Sequence, residues 1–227
     1  MPNSSPSKCN KLLNFMAIAT ATNQQIFGTY SIQKNQSKFS MAGWMRRPSS
    51  LTHQVFGFVD SAQHYFGPYH FNNNVMYFLA ANGSTAYGSS AQNITGWNHW
   101  AMSFDGTQTG NANRLKGYLN GSPLTLTFLG TIPSTTNNNA LSDVFRIGRA
   151  QYNGNWSTGD FAEIGMWQEV LSGSDVAALA SGMTPDKVLP DKLVSYIPLV
   201  RNIQDVRSGI SLTNTSTTVA NHPRIYP

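Results

Sequence analysis

Apolar and polar side chains alternate along residues 97–105, where Trp100, Met102 and Phe104 fall on one side and polar or small residues on the other. A period of two predicts a β-strand with one face buried in a core. A Gly/Asn-rich loop ends this run, and the alternation resumes at Leu115, which predicts a hairpin with a long loop. A lone hairpin is not stable in water, so the chain must supply a second sheet that covers the apolar face.

Runs of similar length recur along the chain and predict further strands. The runs at 54–60 and 74–81 are continuously apolar, which fits strands buried on both faces. Residues 61–73 between them contain aromatic residues, histidines and a Gly-Pro pair, and we predict a loop there. The predicted strands cover residues 39–44, 54–60, 74–81, 144–148, 161–167, 193–199 and 210–213.

One short helix is predicted between Ser172 and Gly182, because Ser172 and Asp175 fit a capping box and Gly182 fits a C-terminal stop. Many short strands, regular turns and one short helix predict an all-β chain that folds as a two-sheet antiparallel β-sandwich. The length of 227 residues fits a single such domain.

The domain organisation follows from the same pattern. We expect an N-terminal arm and first strand over residues 1–30, and the sandwich over residues 31–227. Residues 11–21 are more apolar than those before them, which fits a short strand or an arm docked on a partner. The side chains expected to contact that partner are Leu12, Leu13, Phe15 and Met16.

Charge and cysteine content exclude several classes of partner. Charged residues make up 11% of the chain and the net charge of +5 comes from scattered residues, whereas nucleic-acid binders concentrate Lys and Arg on one face. Cys9 is the one cysteine, so no disulfide forms within the chain. The first ten residues lack a signal-peptide pattern, and the longest apolar run, 75–81, is too short to cross a bilayer. We therefore expect no nucleic acid, no membrane insertion and synthesis in a cytoplasm.

The chain has two glutamates, Glu163 and Glu169, and the distance between them tests whether the protein could be a glycoside hydrolase. A retaining mechanism needs two carboxyl groups about 5–5.5 Å apart. Continuous strand between these two residues would separate them by roughly 20 Å. We therefore predict no enzyme and no catalytic residues, and we expect Glu163 to form an ion pair with Arg146. A hydrolase that draws carboxylates from distant loops stays open as an alternative.

Metal and cofactor sites are not predicted either. The five histidines include no close pair with the spacing of a zinc site, and there is no second cysteine. Calcium at Asp105 or Asp143 is conceivable, but no spacing requires it. His99 is expected to be a hydrogen-bonded structural residue.

Binding is the functional class that the residues fit. Aromatic rings hold the apolar face of a sugar while amides and hydroxyls bond to the rest, and two segments offer that mixture. An alternative stays open, in which the rings cap the ends of the core and Asn and Gly make the turns. The candidate glycan-binding residues are Tyr65, Tyr69, His70, Asn72, Tyr152, Asn153, Asn155 and Trp156.

Several motifs together resemble the concanavalin A-like, laminin-G-type jelly roll over residues 37–182. The resemblance implies a jelly roll, a fold that hosts both lectins and glycoside hydrolases. The family commonly has Asp where Asn120 stands and Asp-Glu where this chain has Ala162-Glu163, so both changes remove a carboxylate. The motifs are Trp97-x-His99-x-Ala101, Phe104-Asp105-Gly106, Gly117-Tyr118-Leu119-Asn120-Gly121, Arg146-Ile147-Gly148, and Phe161-Ala162-Glu163-Ile164-Gly165-Met166-Trp167 before Leu171-Ser172.

The strand pattern at 193–199, followed by His222-Pro223-Arg224-Ile225-Tyr226-Pro227 at the end of the chain, looks similar to phage-encoded jelly-roll proteins. Residues 193–199 resemble the strand that opens many such domains, but here they come last. Terminal strands of a sandwich usually lie side by side, so this permuted order is readily accommodated.

We therefore predict a non-catalytic virion protein, either a capsid decoration or a fibre protein, with a lectin-like jelly roll. Its expected partners are other virion proteins such as the major capsid protein, further copies of the chain, and a cell-surface glycan. A free-standing carbohydrate-binding adhesin or lectin is the alternative, and a glycoside hydrolase is less favoured.

Overall fold

The structure is a computed structural model that describes residues 16–49, 52–59, 64–138, 143–150, 155–200 and 203–221. Within these residues, two antiparallel sheets of eight strands each pack face to face, and a two-stranded hairpin lies beside them. The predicted all-β, two-sheet antiparallel sandwich is confirmed.

The chain crosses between the two sheets several times. Those of sheet I are β1 (Met16–Thr20), β3 (Lys38–Arg47), β8 (Gly96–Asp105), β9 (Leu115–Leu119), β10 (Ser122–Pro123), β15 (Gly159–Trp167), β16 (Leu193–Ile197) and β18 (Thr218–Asn221). Those of sheet II are β2 (Gln25–Thr29), β4 (Gln54–Val59), β5 (Tyr65–His70), β6 (Val75–Ala80), β7 (Tyr87–Ala91), β11 (Thr127–Leu129), β12 (Val144–Ile147) and β17 (Thr213–Thr215). The separate hairpin is β13 (Arg149–Ala150) and β14 (Asn155–Trp156).

The strand order explains how the sheets are assembled. Sheet I runs β10-β9-β8-β3-β15-β1-β18, and β16 also pairs with β15. Sheet II runs β11-β7-β6-β5-β4-β12-β2-β17. The first and last described strands, β1 and β18, are therefore neighbours, as expected for terminal strands of a sandwich.

Aromatic side chains fill the space between the sheets. The ring of Phe39 in sheet I meets the rings of Phe58 and Phe66 in sheet II, with centroids 6.3 and 5.4 Å apart. Phe66 also meets Phe104 at 5.9 Å. The side chains of β8 that the alternation places in the core are all buried, so this part of the prediction is confirmed.

The second face of β8 departs from the prediction, because it is buried as well. His99, Ala101 and Ser103 are between 0 and 2% exposed. Helix α2 (Gly173–Ala180) lies over this outer face and packs Val176 and Leu179 into a second apolar cluster. A two-residue alternation of polar and apolar side chains does not reveal such a cover, since Ser and His accept burial when their surroundings allow it.

The predicted helix is α2, and its capping box forms as expected. The Ser172 hydroxyl accepts a hydrogen bond from the N–H of Asp175, and the carboxylate of Asp175 accepts one from the N–H of Ser172. A four-residue helix, α1 (Asn111–Arg114), and a 3-10 turn (Pro185–Lys187) were not predicted. None of the helices in the described residues has the length and hydropathy that crossing a bilayer would require.

Strand β5 corrects the predicted loop at 61–73. Gly67 and Pro68 lie in the middle of this strand, where Pro68 pairs with Phe78 of β6. Proline has no N–H to donate, and the ladder to β4 is interrupted opposite it. A Cβ on Gly67 would lie 2.7 Å from the Cα of Gly57 in β4, so the two glycines allow the backbones to approach closely.

The described part of the predicted N-terminal arm forms strands of the sandwich, with β1 in sheet I and β2 in sheet II. β1 pairs with β15 and β18, and β2 pairs with β12 and β17. Met16 is the first residue of β1, whereas Leu12, Leu13 and Phe15 lie outside the described residues. The partner contact and the domain boundary at residue 30 stay predictions.

Candidate functional site

The outer face of sheet II carries the largest set of aromatic side chains away from the core. Side chains alternate along its strands, so that Phe56, Phe66 and Phe78 point into the core. The intervening residues, among them Tyr69 and Tyr77, point outward and form a separate apolar cluster. None of the eight described strands of sheet II contains Asp or Glu.

Three half-buried rings on this face touch one another, and we call Phe71, Tyr77 and Tyr87 the aromatic row. Phe71 and Tyr77 meet edge to face with centroids 6.2 Å apart, and Tyr77 and Tyr87 meet in the same way at 5.0 Å. Ser89 on β7 lies opposite Tyr77 and is also partly exposed. Contacts of this kind hold the rings in fixed orientations.

Tyr65 and Tyr69, two of the predicted glycan-binding residues, lie next to the aromatic row but are 0 and 2% exposed. Their rings are parallel, with centroids 6.3 Å apart. The hydroxyl of Tyr69 lies 3.2 Å from Nδ1 of His53. In this structure these two rings support the face from beneath rather than present a surface to solvent.

His70, also predicted as a glycan-binding residue, is fully buried on the core side of β5. Its Nε2 lies 3.2 Å from Nη1 of Arg47, whose guanidinium also donates to Oδ1 of Asn74 and to the carbonyl of Phe71. Burial and the charge of Arg47 lower the pKa of His70 to about 4. Arg47 belongs to sheet I, His70 ends β5, and Phe71 and Asn74 lie in the β5–β6 connection, so this group ties the two sheets together.

Of the remaining candidates, Asn72 and Trp156 are described in full. Asn72 is exposed in the β5–β6 turn. Trp156 is half-buried, and the guanidinium carbon of Arg149 lies 4.6 Å from the centre of its ring. Asn155 begins β14, and its side chain, like all of Tyr152 and Asn153, lies outside the described residues. Glycan binding by these residues stays a prediction.

Arg146 and Glu163 do not form the predicted ion pair, because they belong to different sheets. Arg146 points outward from β12, donates to Oε1 of Gln25 at 3.0 Å, and has its guanidinium carbon 5.4 Å from the ring centre of Phe27. Glu163 in sheet I accepts a hydrogen bond from the hydroxyl of Tyr196. Burial raises the pKa of Glu163 to about 7.

The other carboxylates in or beside sheet I are also held by neighbours. Asp160 lies 2.7 Å from Nη1 of Arg46, and Glu169 lies 3.0 Å from Nζ of Lys38. Asp105 accepts hydrogen bonds from Thr107 and Gln108. Among the described residues, no three His, Cys, Asp or Glu side chains come together as a metal site would need.

His99 departs from its predicted role. Its Nδ1 is buried and has no hydrogen-bond partner among the described residues, and its ring instead meets the edge of Trp44 at 5.3 Å. Burial lowers the pKa of His99 to about 3, so the ring is neutral. The residue therefore packs as an aromatic side chain on the outer side of sheet I.

A groove of about 720 Å³ opens at the edge of the sandwich where β9, β10 and β11 lie. Apolar side chains make up much of its wall, including Leu115, Leu124, Leu126 and Phe128. It lies beside β9, β10 and β11 on the core side of Phe128, whereas the aromatic row lies on the outer face of the neighbouring strands β6 and β7 and in the turn after β5. No pattern in the sequence predicts this groove.

Sequence reasoning missed Tyr77, Tyr87 and Arg149. The run at 74–81 was predicted to be buried on both faces, yet Tyr77 is half-buried while Met76 and Phe78 are fully buried. The one tyrosine in this otherwise apolar run, Tyr77, was the signal available, because its hydroxyl favours a wet environment.

The two packed sheets and the long β8–β9 hairpin define a class, the lectin-like sandwich of the concanavalin A type. The chain belongs to the concanavalin A-like lectin/glucanases superfamily, whose family model matches residues 20–177. Comparison with curated proteins finds no match.

Solved structures are similar in fold at low sequence identity. A candidate carbohydrate binding protein from Bacteroides ovatus has a TM-score of 0.65 and 15% identity, covering 91% of this chain and 60% of that chain. A heptameric SAP-like pentraxin from Limulus polyphemus has a TM-score of 0.57 and 16% identity, covering 92% and 95%. The NanB sialidase from Streptococcus pneumoniae has a TM-score of 0.52 and 16% identity, covering 72% and 27%. This chain thus spans about 60% of the length of the Bacteroides protein.

Proposed function

We propose that the protein is a non-catalytic, lectin-like module that binds carbohydrate through the outer face of sheet II. The observation that carries the proposal is the aromatic row, three half-buried rings in mutual contact on a face whose described strands contain no carboxylate. Rings fixed in this way offer a rigid apolar surface to the C–H groups of a sugar. Ser89 and Asn72 stand beside the row and can bond to sugar hydroxyls.

Similarity in fold is consistent with this proposal. The Bacteroides protein that shares the sandwich is named as a candidate carbohydrate binding protein. At 15% identity the TM-score of 0.65 shows a shared fold alone, so the argument for binding rests on the aromatic row of this chain.

The non-catalytic part of the proposal rests on the carboxylates. Asp160 and Glu169 form ion pairs with Arg46 and Lys38. The carboxyl of Glu163 is buried against Tyr196. A glycoside hydrolase needs two carboxyl groups that face the sugar from a common groove, and these three side chains are engaged elsewhere.

The test is glycan-array binding of the wild type and of Tyr77→Ala and Tyr87→Ala. We expect each alanine variant to bind at least tenfold more weakly, because the stacking surface is lost. Tyr77→Phe and Tyr87→Phe are the matched controls, since they keep the ring, and thermal unfolding checks that all four variants fold. Unchanged binding by both alanine variants would rule out this face. Tyr69→Ala is a poor test, because its ring is buried against the sheet.

A more specific form of the proposal places the module on a virus particle, with Leu12, Leu13 and Phe15 against a neighbouring subunit. Residues 16–20 are paired with β15 and β18, so a deletion should stop before them. We expect a chain lacking residues 1–15 to fold but to lose assembly, as measured by light scattering and particle attachment. An unchanged oligomeric state together with unchanged attachment would count against the virion role.

A further inference from the structure

We infer that Arg146 and Arg149 form a site for an acidic group, a carboxylate or a sulfate ester, carried by the bound glycan. The inference rests on the proposed function, because it names the class of sugar that the outer face of sheet II accepts. Guanidinium groups match the geometry of both anions and bind them in a bidentate manner.

Arg146 is positioned by rigid surroundings. It stands on β12 between the core residues Phe145 and Ile147, so it projects from the outer face. Its guanidinium lies against the ring of Phe27, and Nη1 is held by Gln25 at 3.0 Å. Its Nε has no partner among the described residues. One hydrogen bond is thus made by a group that has five N–H donors.

Arg149 follows three residues later, after a turn at Gly148 whose φ is 92°. Its guanidinium carbon lies 4.6 Å from the centre of the Trp156 ring. Arg149 on β13 is the direct pairing partner of Trp156 on β14. The described residues offer this guanidinium no hydrogen-bond acceptor, and its Nε is buried without a partner. Stacking on Trp156 therefore fixes the group while leaving its donors unused.

The two positive charges lie close together without a balancing acid. Burial lowers the pKa of Arg146, and the charge of Arg149 lowers it further. Asp143, the nearest acid before them in sequence, is 2.9 Å from Nζ of Lys34. In the described part of the chain no carboxylate comes within ion-pair distance of either arginine. An anion bound between them would relieve their repulsion and accept hydrogen bonds from guanidinium N–H groups that bond to no acceptor among the described residues.

Arg146 lies on the same face as the aromatic row, and Arg149 is near enough for its charge to act on Arg146. Sheet order places β4, β5 and β6 between Arg146 on β12 and Tyr87 on β7. Four strand spacings correspond to about 19 Å. An oligosaccharide of several residues spans this length, so one ligand can stack on the aromatic row and place an acidic group at the arginines.

The test uses the full chain and matched pairs of oligosaccharides. Each acidic member, a uronate or sialate in one arm and a sulfate ester in the other, is compared with its carboxyl-reduced or desulfated counterpart at low and high salt. Arg149→Gln and Arg146→Gln remove one charge each. Lys116→Gln is the matched control, because Lys116 is exposed on β9 of sheet I. Sodium sulfate alone is titrated to measure binding of a free anion.

We expect the acidic member to bind at least tenfold more tightly at low salt, and the arm that shows this preference identifies the acid. Arg149→Gln and Arg146→Gln should abolish the preference while neutral sugars still bind, and Lys116→Gln should preserve it. Equal binding of acidic and neutral members overturns the inference and leaves the proposed function intact. A preference that survives both arginine variants also overturns it. If sodium sulfate binds but none of the glycans does, the result contradicts both the inference and the proposed function. The same holds if neither sulfate nor any glycan binds.

Discussion

Glu163 occupies a break in strand β15. Its φ is 52°, and the register with β3 shifts between Ala162 and Gly165. Before the break β15 pairs with β1, and after it with β16, so this residue stands where one neighbouring strand gives way to another. Its side chain is consequently turned to Tyr196 and buried there. A left-handed backbone at a non-glycine residue costs about 1–2 kcal/mol, which the surrounding pairing must offset.

The buried carboxyl of Glu163 predicts a pH dependence of stability. Burial raises its pKa to about 7 in the folded chain, above the ordinary value of 4.5. Folding therefore binds a proton between these values, and the free energy of unfolding falls as pH rises through this window. Glu163→Gln removes the titration, and we expect it to be more stable than the wild type at pH 8 by about 2–3 kcal/mol.

Urea unfolding at pH 5 and pH 8 measures this effect. The advantage of the glutamine variant should shrink towards pH 5, because the wild-type carboxyl is then protonated. An equal difference in unfolding free energy between the two proteins at pH 5 and at pH 8 would contradict the raised pKa of Glu163. The same variant tests hydrolysis, since a catalytic Glu163 would be revealed by sugar release from the wild type that the variant lacks.

Single residues show where sequence reasoning stops. The alternation along 161–167 predicted β15 but gave no sign that Glu163 interrupts it. The expected pairing with Arg146 was wrong, because sequence alone does not state which strands become neighbours. His99 was expected to be hydrogen-bonded, whereas burial on an outer sheet face made it an aromatic packing residue.

Helix α2 is the element that completes the outer side of sheet I. Val176 and Leu179 join Ala101 and Tyr118 in one apolar cluster. The helix has eight residues, too few to be stable alone, so its cap and this cluster hold it in place. Its sequence predicted both ends of the helix, because capping is a local interaction between near neighbours.

Ser172→Ala should destabilise the protein by about 1 kcal/mol through loss of this cap. The hydroxyl of Ser172 accepts from the N–H of Asp175 at 3.2 Å, and alanine leaves that N–H unsatisfied. Ser181→Ala at the other end is the matched control, because the Ser181 hydroxyl donates to a carbonyl that its own N–H also bonds. Equal losses for the two variants, measured by chemical unfolding, would show that the cap contributes nothing particular.

In contrast to helix α2, strand β5 is not predicted by its local sequence. Its Gly-Pro pair and histidines favour a loop by local rules. The strand forms because β4 and β6 lie on either side of it, and because Gly57 and Gly67 let two backbones pass closely. Long-range pairing of this kind overrides local preference, and one sequence does not reveal it.

At the scale of the whole molecule, two buried histidines predict acid sensitivity. The pKa of His70 is lowered to about 4 and that of His99 to about 3. An unfolded histidine titrates near 6.5, so stability is complete above that pH and falls as the pH drops towards these values. At pH 5, each histidine should lower the free energy of unfolding by up to about 2 kcal/mol relative to its value above pH 6.5. This loss of stability is best measured in the Glu163→Gln variant, because in the wild type protonation of Glu163 raises stability over the same pH range.

NMR of the imidazole C–H groups provides the direct measurement. Both rings should remain neutral at pH 5 in the folded protein. Protonation of both rings near pH 6.5 without loss of stability would contradict the burial argument.

The sandwich could be predicted from the sequence because its strands alternate, its turns carry Gly and Asn, and its motifs resemble a known family. The candidate site could be predicted only in part. Tyr65, Tyr69 and His70 are in the expected region but are buried, whereas the half-buried rings at Tyr77 and Tyr87 became recognisable only when the strand order placed them side by side. A binding face is assembled from several strands, and its composition follows from topology.

The central claim is that sugar binds on the outer face of sheet II and is not cleaved. The most direct measurement is an NMR titration of the labelled chain with a glycan selected on the array, following aromatic C–H signals and the sugar itself. The account predicts that signals of Phe71, Tyr77 and Tyr87 shift while the sugar stays intact. Shifts confined to the groove at Leu124 and Phe128, or the release of a cleaved sugar, would contradict it.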